Sequence, residues 1–176
     1  MEVLFPRTLK ELLTLRAENP DGKIMAGGTD LLVQLRRTGL TPSMLFCLDQ
    51  LPELGGIEFF SEEIRFGAAV TLQKMLENPA VKQAAPTLYQ AASVMASPPV
   101  RHAATLGGNI CTASPAGDTL PPLYVLGAQV ELQKTDSIRR LPLAEFITGP
   151  GQTAMLPEEI LTAVCIPRRQ SGNLSA

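Results

Sequence analysis

Apolar positions recur at helical and strand periods along the chain and divide it into two stretches of different character. Leu9, Leu12, Leu13 and Leu15 form a helical stripe behind Thr8, a capping residue type, and predict a helix from Leu9 to about Asn19. Asn19-Pro20-Asp21-Gly22 ends it. The tetrad KIMA (23–26) reads as a short buried strand running into Gly27-Gly28. Thr29 or Asp30 can then cap a second helix, LLVQLRRTG, which stops at Gly39. MLFCLD (44–49) is another buried strand, so the first stretch alternates strand and helix as a parallel sheet requires.

From about residue 53 the pattern changes. GIEFF and IRFGA alternate around Ser61-Glu62-Glu63 and predict a hairpin. Thr71 begins a helix ended by Asn78-Pro79, and Val81 to about Met95 reads as one helix with Pro86 near its first turn. A glycine-rich loop, TLGGNICTASPAGDT (105–119), precedes a helix from Asp118 to about Gly127. AQVELQK, IRRLPLAEFITGPG and EEILTAVCIP each contain a strand. The expectation is an α+β chain with a small α/β lobe at 1–52 and a larger lobe of antiparallel sheet and helices at 53–176.

Composition narrows the function classes. The 176 residues are 45% hydrophobic and 18% charged, which supplies a real core without disulfides or structural metals. A net charge of −2 without a basic patch argues against nucleic acid or anionic membrane as partner. Cys47, Cys111 and Cys165 are odd in number and far apart, a spacing of buried thiols rather than of disulfides, zinc or iron–sulfur ligation. MEVLFPRTLKELL lacks an apolar core with a cleavage site, and no apolar run is long enough to span a membrane. A cytoplasmic protein without membrane insertion is expected.

The two glycine segments are the candidate chemistry. IMAGGTD sets Gly27 and Gly28 between a strand and a helix, and TLGGN sets Gly107, Gly108 and Asn109 ahead of another helix. Exposed N–H groups at such turns attract anions, and no Cβ blocks the approach. Thr29, Thr105, Thr112 and Ser114 add hydroxyl donors. One such turn is more often punctuation; two with hydroxyls beside them point to one diphosphate held between lobes. Neither matches GxGxxG or GxxxxGK[ST], which excludes the Rossmann and P-loop readings. Asp118 or Thr119 can cap the following helix, and Asp118 can also accept from sugar hydroxyls, two compatible roles. On this reading, a branched side chain at Gly28 or Gly108 blocks the ligand while the fold survives.

AGGTDLL (26–32), ATLGGNICTASPAGDTLPPLYVLGAQVEL (104–132) and EEILTAVCIP (158–167) resemble, in order and over nearly the whole chain, the FAD-binding subunit or domain of the molybdenum hydroxylases. Xanthine dehydrogenase and the medium subunit of aerobic carbon monoxide dehydrogenase belong to that family. The resemblance implies the two-lobe FAD-binding fold of the vanillyl-alcohol oxidase (PCMH) type. Ala26, Gly27, Gly28, Thr29, Asp30 and Leu31 would line the diphosphate; Thr105, Gly108, Asn109, Thr112 and Ser114 would form the opposite wall. Asp118 would meet sugar hydroxyls, Ile160 and Leu161 would bring backbone to the adenine or the ring, and Met95 would lie near the isoalloxazine. No catalytic or metal-ligating residue is implied.

The resemblance also implies a role. The chain would be the FAD station of an oxidoreductase, taking electrons from the [2Fe–2S] clusters of a small subunit and passing them to NAD or another acceptor. A molybdopterin-containing large subunit would carry the substrate chemistry. Two departures stand out. Ser97-Pro98-Pro99-Val100-Arg101-His102 replaces the usual SPQVRN: His102 is read as a loop-fixing hydrogen-bonding residue or simply exposed, ahead of a proton donor near the flavin, and Arg101 as an anchor to carbonyls or a carboxylate. Relatives continue into a further C-terminal domain with a lysine near the flavin, and that domain is expected to be absent here, because the sequence reads NLSA where its first segment would begin. The alternatives are a non-redox module for CoA or another diphosphate ligand, and an assembly subunit that has lost flavin.

Overall fold

The computed structural model describes residues 1–168; the segment where the further domain would begin, 169–176, lies outside the described residues. The chain opens as β1 (Glu2–Leu4), α1 (Leu9–Glu18), β2 (Lys23–Met25), α2 (Leu31–Thr38) and β3 (Met44–Cys47). A 3-10 turn (Pro52–Leu54) leads to β4 (Ile57–Phe59), β5 (Glu63–Gly67), α3 (Leu72–Leu76), α4 (Pro79–Ala84), α5 (Pro86–Val94), α6 (Pro98–Ala103), α7 (Leu106–Thr112) and α8 (Leu120–Val125). β6 (Gln129–Lys134), β7 (Ser137–Pro142), α9 (Leu143–Phe146), β8 (Ile147–Gly149), β9 (Gln152–Thr153) and β10 (Ile160–Pro167) complete it.

The first sheet is parallel, in the order β1–β3–β2. Its central strand β3 is the apolar run MLFC, as a strand flanked on both sides requires. α1 is capped as its sequence foretells, with Thr8 Oγ1 accepting from the Glu11 N–H, and α2 ends at Gly39 with φ 67°. β1, three residues long and outside any periodic pattern, was not legible in the sequence. The second sheet is antiparallel, in the order β4–β5–β10–β6–β7. β10 runs through its middle, and all of its residues but Pro167 are buried.

Two hydrophobic clusters hold these layers. The larger joins one face of the antiparallel sheet (Phe66, Val130, Val164) to Leu72, Leu88, Leu106, Ile110 and Leu123 from the helices. The smaller gathers Leu12, Leu13, Phe46 and Leu48 with Leu54 and Ile160, so β10 of the antiparallel sheet contributes to the core of the parallel one. A register shift between Leu161 and Ala163 in the β10–β6 pairing accompanies this turnover of faces.

Three expected elements differ. The helix expected over 81–95 is two helices, because Ala85 adopts φ −138°, ψ 62° and Pro86 restarts the chain as a first-turn residue. The segment read as a glycine loop contains α7, with Thr105 as its cap and both glycines in its first turn. The following helix is shorter than 118–127: it starts at Leu120 after Thr119, so Asp118 is not its cap.

The outer face of the antiparallel sheet carries a charge lattice. Glu131 is 8% exposed and accepts from Arg65 Nη2 at 2.8 Å, Arg140 Nε at 3.1 Å and the Thr162 hydroxyl at 3.2 Å. Glu159, 3% exposed, takes a two-pronged Arg139 at 2.6 and 2.8 Å and the Leu156 N–H at 2.7 Å. Burial pushes both carboxyls up, but the guanidinium hydrogen bonds and charges outweigh it and hold both below the usual carboxylate range. A depressed folded-state pKa stabilises above the unfolded value of about 4.3 and is lost as pH falls through the folded one. Glu131→Gln should therefore cost about 1–3 kcal/mol at neutral pH. It should also flatten the loss of stability that the wild type shows below pH ~4.3 in urea titrations.

Candidate functional site

The C-terminal ends of the parallel strands β2 and β3 deliver residues 26–31 and 48–52 to the same edge, where open α/β sheets receive ligands. A cleft of about 490 Å³ opens there, lined by Ala26, Gly27, Leu48, Asp49, Gln50, Thr71, His102 and Thr105 among others. Position after a strand was the sequence signal that could have found residues 48–52. His102 is exposed on α6, at the lining of this cleft.

The first glycine turn is fixed by packing. A Cβ on Gly27 would sit 1.7 Å from the Ala103 carbonyl oxygen, so only glycine lets this turn meet the end of α6. Gly28 has φ 68°, in the left-handed region. The outcome is a run of free donors: the N–H groups of Gly27, Gly28, Thr29, Asp30 and Leu31 find no acceptor among the described residues. Gly28 and Asp30 carbonyls do accept, from Leu32 and Gln34 at 3.2 and 2.9 Å, which starts α2. Consecutive unsatisfied amides at a partly exposed turn form an anion-binding concavity.

The second glycine pair differs. Gly107 N–H donates to Ala68 O at 3.0 Å and Gly108 N–H to Thr105 Oγ1 at 3.1 Å. The Gly107 amide ties α7 to the segment after β5, and the Gly108 amide is taken up by the helix's own cap, so neither is left free for a ligand. A Cβ on Gly107 would lie 2.6 Å from the Ala68 carbonyl oxygen, and one on Gly108 would lie 2.8 Å from Thr105 Oγ1. The expectation that a branched residue at Gly28 or Gly108 spares the fold is corrected on these grounds.

Side chains then join the two segments. Thr112 Oγ1 lies 3.2 Å from Asp30 Oδ2 and 3.0 Å from Gly108 O, and Asp30 Oδ2 also accepts from Gln34 at 2.5 Å. The Asp30 carboxylate is thereby directed along α2 and toward α7. Asn109 Oδ1 accepts from the buried Thr119 hydroxyl at 2.5 Å, and Ser114 Oγ accepts from the Ala116 N–H at 3.2 Å. Asp118 is exposed just before α8. Ile160 and Leu161 open β10, against which α7 packs. Their backbones pair with β6 only, since the β5 pairing starts at Ala163, and their side chains are buried in the smaller and larger clusters respectively. Of the fourteen expected positions, Ala26, Gly27 and Thr105 line the cleft, Asp30 meets Thr112, and Ile160 and Leu161 lie on the strand that packs against α7.

The family model described as the FAD binding domain in molybdopterin dehydrogenase matches residues 1–169. The chain belongs to this family. It is 35% identical over 161 residues to the xanthine dehydrogenase FAD-binding subunit of Escherichia coli O157:H7, covering 91% of this chain and 55% of that one. It is 33% identical over 180 residues to the nicotinate dehydrogenase FAD-subunit of Eubacterium barkeri, covering 99% and 61%. The structure is similar to quinoline 2-oxidoreductase from Pseudomonas putida 86, with TM-score 0.92, 28% identity, and 96% and 59% of the chains covered. It is equally similar to carbon monoxide dehydrogenase from Hydrogenophaga pseudoflava, with TM-score 0.92, 26% identity, and 98% and 60% covered. The chain spans between half and two thirds of the length of these proteins.

Cys47 and Cys165 are buried and Cys111 is half-buried. Burial pushes the Cys111 thiol up to about 12 and Cys165 to about 11, and Cys47 is also raised by burial and by Asp49. No helix among the described residues is long and apolar enough to cross a membrane.

The backbone contact at Gly27 gives a direct test. Gly27→Ala should cost about 1–3 kcal/mol through the Ala103 clash and lower the melting temperature by roughly 2–10 °C. Gly56→Ala, where an added Cβ meets nothing within 4 Å, should stay within about 0.5 kcal/mol of wild type. Equal melting temperatures for both variants would contradict the packing role of Gly27.

Proposed function

We propose that the chain holds FAD between the lobes 1–52 and 53–176 and serves as the flavin station of a molybdenum-containing dehydrogenase or hydroxylase. The observation that carries this reading is the run of unengaged N–H groups from Gly27 to Leu31, because a diphosphate supplies the acceptors that the protein withholds. Family membership and the names of the relatives support the same cofactor. Neither supports a CoA module or a ligand-free assembly subunit.

The residues present fit the group. Ala26 to Leu31 would hold the diphosphate, chiefly by backbone. Gly108 leaves the exposed start of α7 without a side chain, so a ligand can lie against it. Thr105, Asn109, Thr112, Ser114 and Asp118 would serve the sugar and ribityl hydroxyls. Ile160 and Leu161 would offer the backbone edge that β5 leaves uncovered. When bound, FAD supplies the capacity to accept electrons singly or in pairs. The protein's tasks are to bind and orient it and to exclude water. Electron supply from [2Fe–2S] clusters, delivery to NAD or another acceptor, and assembly with a molybdopterin-bearing large subunit and an iron–sulfur small subunit are parts of this proposal.

The purified chain should retain or take up one FAD and show the visible absorption bands of oxidised flavin. ADP should compete, because the diphosphate contact is made by backbone amides, and should bind more weakly than FAD. Failure to bind FAD, or tighter binding of ADP with no flavin band, would refute the proposal.

A further inference from the structure

The parallel sheet is covered unequally on its two faces. Phe46 and Leu4 turn to the face packed by α1, in the smaller apolar cluster. Strand alternation sends Val3, Leu45 and their neighbours Met25 and Cys47 to the opposite face. α2 lies on that side, where the side chains of Met25 and Leu32 both come up to Gly28. It covers the face thinly. None of its residues is buried and none belongs to either cluster, although it carries Leu31, Leu32, Val33 and Leu35.

What is left over is an apolar groove. Leu32 is 47% exposed, and Leu40, just beyond the end of α2, is 68% exposed. A groove of about 380 Å³ runs between α2, the loop after it and the residue ahead of β1, lined by Met1, Leu32, Leu35, Leu40 and Pro42 with Arg36. A contiguous apolar surface with a polar rim marks a place where another protein binds.

Charge selects that protein. Arg36 and Arg37 form no ion pair among the described residues, and no Asp or Glu occurs from residue 31 to 48. The carboxylate just ahead of α2, Asp30, is occupied by Gln34 and Thr112. The groove is therefore apolar with a cationic rim, and its complement is an apolar ridge with a negative rim. A [2Fe–2S] cluster held by four thiolates has that sign, because two ferric ions do not balance two sulfides and four thiolates. Its subunit must also sit beside the flavin cleft for electrons to pass. α2 starts from the proposed diphosphate turn and spans about 12 Å, so the groove is next to that cleft.

We propose that the groove beside α2 is where an iron–sulfur electron-donor subunit docks, with its apolar ridge in the groove and its anionic rim against Arg36 and Arg37. This rests on the flavin reading above and assigns a surface to the partner named there.

The test uses the full FAD-loaded chain and the small [2Fe–2S] subunit of its own enzyme, with association followed by titration and gel filtration. Leu40→Asp should weaken association at least about tenfold. FAD affinity should stay within about twofold of wild type and the melting temperature within about 3 °C, because Leu40 is exposed. Arg36→Gln combined with Arg37→Gln should weaken association severalfold at low salt and match wild type at high salt. This pair keeps the proposal falsifiable if Leu40→Asp does not fold. Phe60→Asp, at another exposed apolar position beside the β4–β5 hairpin, should associate as wild type does. Wild type that binds no FAD would overturn this proposal together with the reading it rests on. Wild type that binds FAD, with no association or with all variants associating equally, would overturn the docking surface alone. Self-association, or capture of the large subunit, that Leu40→Asp abolishes would assign the groove another occupant and overturn it too.

Discussion

The structure depends on one backbone-to-backbone contact, the seating of Gly27 against the carbonyl of Ala103. No side chain can stand between them, so the turn after β2 is drawn onto the end of α6, immediately ahead of Thr105 and α7. Everything offered to a ligand follows from that approach. The amides from Gly27 to Leu31 are left over because the turn is held by packing rather than by its own hydrogen bonds. The Asp30 carboxylate can then reach Thr112.

The two glycine pairs look alike as sequence and act differently as structure. Gly27 and Gly28 free their donors, whereas Gly107 and Gly108 give theirs to Ala68 and to the Thr105 cap. The buried Gly107 N–H must find an acceptor, and the exposed Gly108 N–H is taken up by the Thr105 cap, so the first turn of α7 is closed internally. The partly exposed turn before α2 is under no such demand. A helix that buries none of its residues, as α2 does, contributes little to the core and is placed by its N-terminal turn.

The parallel and antiparallel sheets meet through a shared apolar cluster, and charges tie together the strands within the antiparallel one. Ile160 inserts from β10 into the cluster of α1 and β3. On the outer face, Glu131 collects Arg65 from β5 and Arg140 from β7, which fixes the order of three strands around a nearly buried carboxylate. α7 packs against β10 through the larger apolar cluster.

Local chemistry made much of this legible in the sequence. Thr8 and Thr71 as caps, Gly39 as a left-handed stop, the hairpin around Ser61 and the strand 160–167 all follow from short-range preferences that hold in any context. The glycine turn after β2 and the anchoring of Arg101 to carbonyls were likewise readable as residue types in order. What the residues alone did not determine was direction: which amides face inward, that Ala85 breaks a helix, that 106–112 is helical despite two glycines, and that an alanine sits left-handed at residue 96. Those outcomes are decided by partners distant in sequence, Ala68 for Gly107 and Ala103 for Gly27, because hydrogen-bond satisfaction and close packing are settled only when the layers meet.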